Sequence, residues 1–442
     1  MANSIAKKFT FFSLLQFALP TMIMMVFMSL YTIIDGIFIS RLVGTNTLSA
    51  VNIVFPMLSL IIAVGVMLAT GGNAIIARQL GEGNKQEARE NFSFLLLSGT
   101  IGGLLIAAAG TLFLEPLVRL LGATDILFSD CVAYLSITLY LAPACILQLF
   151  FQTFFVTAGK PHIGLLLTVS GGIVNIVLDY VFMGPLQMGV RGAALATGMG
   201  QLVPTVFGIA YFLFVRHTLY FVKPRILLKV LAESCLNGSS EMVANFSNAI
   251  VTYLFNIIML KFMGEPGVAA ITIVLYGQFL FNALYMGFSM GVAPVISYNH
   301  GSRNHPMLRN LFKICIVFIC ISSVLITLSA LTLSPSIVKV FTSEGTETYE
   351  IAKTGFFIFS FNYIFAGLNT FASSMFTAFS DGKISAVISF VRTFVMIVIN
   401  ILVLPYLLGV NGVWLAVPIA EFMTLFLSLY YFRKKKSDYH YL

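Results

Sequence analysis

The sequence predicts an all-α integral membrane protein: twelve transmembrane helices in two six-helix bundles, related as parallel repeats around a central cleft. Three observations carry this. The 442 residues are 59% hydrophobic and 10% charged, against about 25% charged residues in an ordinary soluble domain. Apolar runs recur along the whole chain, and at about 20 residues per span the length accommodates about twelve helices with short connectors and no large domain outside the bilayer. Loop signatures also recur 220 positions apart.

The expected spans are 12–40, 49–77, 91–114, 131–158, 164–184, 192–215, 236–262, 268–298, 311–338, 354–380, 385–404 and 412–432. The first follows a short basic stretch, Met1 to Lys8. The apolar run from Phe9 to Tyr31 is too long for the core of a signal peptide and lacks a small-residue cleavage site, so helix one is expected to be retained. It carries Pro20, a missing backbone donor and hence a candidate hinge, and Asp35 near its outer end. Met22, Met24, Met25, Met28 and Tyr31 read as lipid-facing packing or as an adaptable wall for greasy cations. The second span ends at Gln79-Leu-Gly81. The following Gly81-Glu-Gly-Asn-Lys85 lacks the strand and the GK[ST] ending of a phosphate loop and reads as a turn. Gln148 and Gln152 give the fourth span a polar face, and the fifth carries Asn175 and Asp179, four residues apart on one face. The sixth, opening after Gly189-Val-Arg-Gly192-Ala, carries Thr197.

The basic stretch Arg216 to Glu233 is the natural connector between halves, giving an N-lobe of residues 1–215, a cytoplasmic linker of 216–235 and a C-lobe of 236–442 with a basic tail. In the second half, Glu241, Asn245, Asn248, Thr252 and Asn256 form a polar stripe at helical spacing, suited to a water-filled cleft. Asn362, Asn369, Ser373 and Thr377 make a weaker face on the tenth span. Glu421 in the twelfth reads either as a cleft carboxylate or as the partner of Arg392 in the eleventh. The repeat joins Arg41-Leu-Val-Gly44 to Lys261-Phe-Met-Gly264, Gly81 to Gly301, and Gly189-Val-Arg-Gly192 to Gly409-Val-Asn-Gly412. Six helices per copy keep the copies in one orientation, with the repeat axis along the membrane normal.

With both termini on one side, the loops of that side hold 18 of the 25 Lys and Arg residues, the opposite side holds 6, and Arg392 is intramembrane. The positive-inside rule makes the basic side cytoplasmic. Scattered over short loops, these charges form no nucleic-acid-binding face. The five cysteines, Cys131, Cys145, Cys235, Cys315 and Cys320, lie in or beside apolar runs and read as small core residues instead of a disulfide or metal set.

Asp35, Asp179 and Thr197 each lie about six residues, roughly 9 Å, from the outer end of their helices. Carboxylates are costly in hydrocarbon and are kept mainly on ion, proton or substrate pathways. Two carboxylates, an amide and a hydroxyl make a hard-oxygen set for an alkali cation or a proton. Competition between such an ion and a cationic cargo for the acids couples their movements, and an inward membrane potential adds about 2.3 kcal/mol per charge per 100 mV. The alternative is polar bonding between helices, worth about 0.6 kcal/mol per bond. The positions 220 later are Phe255, Ile399 and Val417, so the site is expected in one lobe only.

Over essentially its full length the chain resembles the multidrug and toxic compound extrusion (MATE) family. The resemblance rests on Ile34-Asp35-Gly-Ile-Phe-Ile-Ser-Arg-Leu-Val-Gly44 with Asn46-Thr-Leu-Ser-Ala50, on Ala77-Arg-Gln-Leu-Gly81-Glu-Gly83-Asn, on Asn175-Ile-Val-Leu-Asp179-Tyr and on Gly189-Val-Arg-Gly192-Ala-Ala-Leu-Ala-Thr197. The pattern is nearer the bacterial drug/sodium antiporter-like branch than eukaryotic members. It implies a V-shaped pair of bundles in a bacterial inner membrane, exporting cationic amphipathic compounds in exchange for Na+ or H+. Asp35, Asn175, Asp179 and Thr197 fall on the N-lobe cation site, and Pro20 on the bend of the first helix. Second-lobe carboxylates used by some members have no clean counterpart here, since Glu241 and Asp381 fall off those positions. The expected substrate-cleft residues are Tyr31, Gln152, Glu241, Asn245, Asn248 and Glu421. No catalytic constellation, cofactor or protein partner is expected beyond the coupling ion, the cargo and the bilayer, and the working unit is expected to be a monomer. A lipid-linked glycan flippase is the alternative, but its anionic cargo calls for several intramembrane bases where this chain offers Arg392. A channel or receptor is the third reading.

Overall fold

A computed structural model of the chain describes residues 4–43 and 45–442, without the side chains of 4, 36, 37, 40, 41 and 45–48. Among the described residues every regular element is helical. Helix α1 (Phe11–Phe38) opens on a reciprocal cap: Thr10 N donates to Ser13 Oγ at 2.8 Å, and Ser13 N to Thr10 Oγ1 at 3.4 Å. These bonds satisfy amides that the first turn leaves open. The helix runs through Pro20 and passes into a π turn at Ile39–Val43. Next come α2 (Thr45–Gly81) and α3 (Lys85–Leu112). Helix α4 consists of Asp125–Tyr140 and Ala142–Thr157, bent by 52°. Pro143 opens its second part and has no amide to carry the hydrogen-bond ladder across the break. The first bundle closes with α5 (Pro161–Met183) and α6 (Gly189–Phe214).

Helical hydrogen bonding then runs 74 residues, Leu228–Gly301, about 110 Å if straight against a hydrocarbon core of about 30 Å. Gly264, at φ 65° and ψ −157°, breaks it into α7 (228–263) and α8 (265–301). The second bundle continues with α9 (His305–Phe341), α10 (Glu347–Ala378, interrupted by a 3-10 turn at Ser360–Asn362), α11 (Gly382–Leu408, with a π turn at Val391–Val395) and α12 (Val410–Lys434). Twelve spans result among the described residues. Helices α4, α7 and α10 begin at 125, 228 and 347, six to eight residues before the expected starts. Their first turns mix apolar and polar residues, as suits a membrane surface, and fall outside the apolar runs by which spans are recognised.

The duplication is legible in the backbone. After α2, Gly83 has φ 87°, Asn84 N donates to Gln79 O at 3.0 Å and Ala88 N to Asn84 O at 3.0 Å. After α8, 220 residues later, Arg303 has φ 53°, Asn304 N donates to Asn299 O at 3.0 Å and Leu308 N to Asn304 O at 3.0 Å. Gly189 and Gly409, ahead of α6 and α12, have φ 58° and 60°. The α4–α5 turn, where Gly159 has φ 77°, matches the α10–α11 turn, where Ser380 has φ 61°. The break in α4 at Leu141 likewise falls opposite the 3-10 turn in α10. Gly44, the sequence partner of Gly264, lies outside the described residues.

At the basic end, which carries both termini, the bundles meet with backbone against backbone. A Cβ on Gly81 would collide with the Tyr298 carbonyl, and one on Gly301 with the Arg78 carbonyl. Both the glycines and their partners are 220 apart, so the two contacts are one contact repeated about the pseudo-axis. Further along, Gly71 abuts Ser234 and Gly238 abuts Met67, while Gly291 abuts Ala18 and Gly287 abuts Met22. Small residues permit such approaches in membranes, where dispersion replaces the hydrophobic effect between helices. Three apolar cores fill the bundles. One lies in the first, around Phe92, Phe150, Phe154 and Phe212. One lies at the far end of the second, around Trp414, Phe255 and Phe356. The third, at the basic end of the second bundle, takes in Phe9, Leu14, Phe17 and Ala18 from the start of the chain. Helix α1 thus begins packed on the second bundle and ends within the first.

Candidate cation and substrate site

Glycines decide how closely α1, α5 and α6 approach. A Cβ at Gly171 would stand 2.5 Å from the Gly200 carbonyl, and one at Gly200 would stand 2.8 Å from Asn175 Cβ, so α5 and α6 pack with almost no side chain between them. Gly172 faces the Phe27 ring of α1 in the same way, and Gly198 faces Leu141 at the break of α4. The outer third of α1 is thereby held against α5, and Asp35 reaches Asp179.

The two carboxyl groups lie next to each other, and Tyr31 and Tyr134 both lie near the pair. Asp179 is 0% exposed and Asn175 2% exposed. Asn175 lies beside Asp179, but neither its Nδ2 nor its Oδ1 has a hydrogen-bond partner, and the same holds for both Asp179 oxygens and for Asp35 Oδ1. Thr197 donates to the Ala193 carbonyl at 3.1 Å, which leaves its oxygen free to accept, and the Tyr134 phenol adjoins it. Buried polar groups are almost always paired. Five polar atoms in one place are thus without a partner among the described residues, which leaves them available to one from outside the chain. Two carboxyls with an amide and hydroxyl oxygens suit a hard monovalent cation, or a proton shared between the acids. Of the expected set, Asp35, Asn175, Asp179 and Thr197 come together, and Tyr31 joins them. Tyr134 was not foreseen; it stands at the head of an apolar run, where nothing in the sequence separates it from packing.

The remaining candidates lie elsewhere. Gln152 Nε2 donates to Thr168 Oγ1 at 3.2 Å inside the first bundle, so it is a bond between α4 and α5. Asn245 donates to its own helix at the Glu241 carbonyl, 2.8 Å away, and Asn248 is exposed. Glu421 is not an open cleft carboxylate, because of its two readings the structure realises the ion pair. Arg392 Nε donates to its two oxygens at 2.8 and 3.0 Å, Asn369 Nδ2 adds a bond of 2.8 Å, and Ser428 Oγ in turn donates to Asn369 Oδ1 at 2.8 Å. At the repeat spacing, Glu421 corresponds to Gln201 and Arg392 to Gly172. Asp179 and Thr197 stand about one to two helical turns farther from the basic end than these counterparts. The charged centres of the two bundles are therefore staggered in depth.

Among the described residues, twelve apolar helices in two pseudo-symmetric bundles, with ionisable groups buried in each, are the architecture of a membrane transporter. The chain belongs to the MatE family, whose model matches residues 20–181 and 242–402, one segment in each lobe. It is 26% identical over 431 residues to the multidrug export protein MepA of Staphylococcus haemolyticus, covering 95% of this chain and 92% of that protein. It is 24% identical to the protein of the same name from Staphylococcus saprophyticus, covering 94% and 92%. Among solved structures, a crystal structure of MATE in complex with MaD3S superposes with a TM-score of 0.90 at 24% identity over 96% of both chains. An outward-facing multidrug resistance MATE transporter of the MOP superfamily gives 0.90 at 24% identity over 96% and 95%. The named relatives are multidrug export proteins and not enzymes, and the solved MATE transporters share the fold described above.

Proposed function

We propose that this chain is a secondary active efflux transporter that exports cationic amphipathic compounds in exchange for Na+ or H+. The observation that carries the reading is the convergence of Asp35, Asn175 and Asp179 with their polar atoms unpartnered in the interior of a transporter fold. An incoming ion supplies the missing partner, and its departure leaves the acids to a cationic cargo. The relatives' role in multidrug export supports the cargo class. The residues 1–215 and 236–442 are then the moving lobes, joined through 216–235, and Pro20 is the point at which α1 bends between them. The membrane is a bacterial inner membrane, a reading the bacterial relatives support; the distribution of Lys and Arg supports both termini in the cytosol, and the unit is a monomer. A flippase is disfavoured, because the intramembrane Arg392 is already engaged by Glu421.

The test is export of a cationic dye from right-side-out vesicles, with a sodium gradient and a proton gradient imposed in turn. Uphill export driven by one of them, and reduced at least several-fold in Asp35→Asn and in Asp179→Asn, is the expected result. Export by both variants at the unsubstituted rate would refute the assignment.

A further inference from the structure

The segment after α12 folds back under the second lobe. Tyr441 is 1% exposed and its hydroxyl donates to the Phe432 carbonyl at 2.8 Å. Its ring packs on Phe312 at 4.9 Å and on Phe379 at 5.6 Å. Tyr439 stacks parallel on Phe379 at 4.5 Å and donates to Asp381 Oδ2 at 2.7 Å. His300 meets both of those rings edge-on, at 5.2 and 5.6 Å, and His440 meets His305 at 4.4 Å. The segment thus ties the α8–α9 turn, which holds His300 and His305, to the α10–α11 turn, which holds Phe379 and Asp381.

The first lobe has the same device 220 residues earlier. Phe221 packs on Phe92 at 5.6 Å and on Phe212 at 6.4 Å, and its amide donates to the Phe212 carbonyl at 3.1 Å. Phe92, Phe212 and Phe221 are the repeat counterparts of Phe312, Phe432 and Tyr441. This strap is an inherited part of the lobe and not a loose end. In the first lobe it is fastened further, by Arg89 Nε to the Thr218 carbonyl at 3.1 Å and by Val222 N to Ser93 Oγ at 3.0 Å, before the chain crosses to α7. In the second lobe its contacts fall on the α8–α9 turn, where Gly301, next to His300, abuts the Arg78 backbone of the opposite lobe.

We propose that residues 436–442 are a latch on the basic end: docked, they hold the α8–α9 turn where it meets α2, and their release favours separation of the lobes there. This rests on the efflux reading, in which the basic end must open once per cycle. Aromatic stacking combined with one phenol–carboxylate bond suits a contact that is made and broken repeatedly. Any differential hold on the closed state shifts the open population by the same factor.

The test is pulsed electron spin resonance between nitroxides at Glu82→Cys and Arg303→Cys, which flank one depression across the seam, in protein whose native cysteines are replaced. Without substitutions in the strap, a single short distance is expected. Tyr439→Ala/Tyr441→Ala should move a several-fold larger fraction to longer distances, and Tyr439→Phe, which removes only the bond to Asp381, a smaller one. An unchanged distribution in folded Tyr439→Ala/Tyr441→Ala protein would overturn the latch. So would loss of helical circular dichroism in Tyr439→Phe, which would make the strap a plain structural prop. The distances are read without cargo or gradient, so failure of the efflux reading shows up separately, in the vesicle assay.

Discussion

At the scale of single residues, the two lobes use charge differently. Among the described residues, Asp35 and Asp179 meet with no basic partner, whereas Glu421 is closed off by Arg392 and Asn369. Substituting either N-lobe acid by Asn should reduce gradient-driven export by about 5- to 150-fold, the span of a coupling free energy of 1–3 kcal/mol. The double variant should be little worse, because the pair acts as a unit. In the C-lobe the effect should be on stability. Arg392→Met leaves a carboxylate that is 3% exposed without its counter-ion and should cost about 3–5 kcal/mol, while Arg392→Met/Glu421→Leu should recover most of it. Thermal unfolding in detergent checks both. The acid pair was readable in the sequence because a carboxylate in an apolar run stands out and its depth can be counted from the helix end. The fate of Glu421 was not, since two helices separated by a turn can place Arg392 beside it or a helix face away. Tyr134 was hidden because an aromatic at a helix head looks the same whether it packs or faces an ion.

At the scale of elements, the site depends on how closely α5 and α6 approach. Gly200→Leu places a branched side chain where even a Cβ would stand 2.8 Å from Asn175 Cβ, which should cost about 1–3 kcal/mol and displace the amide, so export should fall. Gly102→Leu, where a Cβ meets nothing within 4 Å, is the matched control and should export normally in the same vesicles. Helix number, order and duplication were legible because hydropathy and the 220-residue spacing are one-dimensional signals. The breaks were less so. Pro143 marks the bend in α4, but the matching break in α10 has no proline at Ser360–Asn362, and the π turns at Ile39–Val43 and Val391–Val395 carry no composition of their own. They arise from packing that a sequence does not display.

For the whole molecule, the seam at the basic end is the largest consequence of the duplication. Gly81 and Gly301 are one position seen twice, so Gly81→Val and Gly301→Val should have matching effects. Each should force the lobes apart and expose Ser234, which is 0% exposed in the closed seam. With Ser234→Cys as reporter in otherwise cysteine-free protein, labelling by a water-soluble maleimide should rise several-fold in both variants. Equal protection in either would mean that the lobes yield elsewhere. Which end is closed could not have been read from the chain, because glycines that allow contact within a lobe and glycines that allow it between lobes follow the same spacing rules.

The strap beneath the first lobe is fastened as far as Val222, and helix resumes at Leu228. The free chain between them can extend no more than about 20 Å. That is a leash. On the efflux reading, the edge beside Pro224 can part by no more than that length, so the wider mouth falls on the opposite side and cargo meets the floor from there.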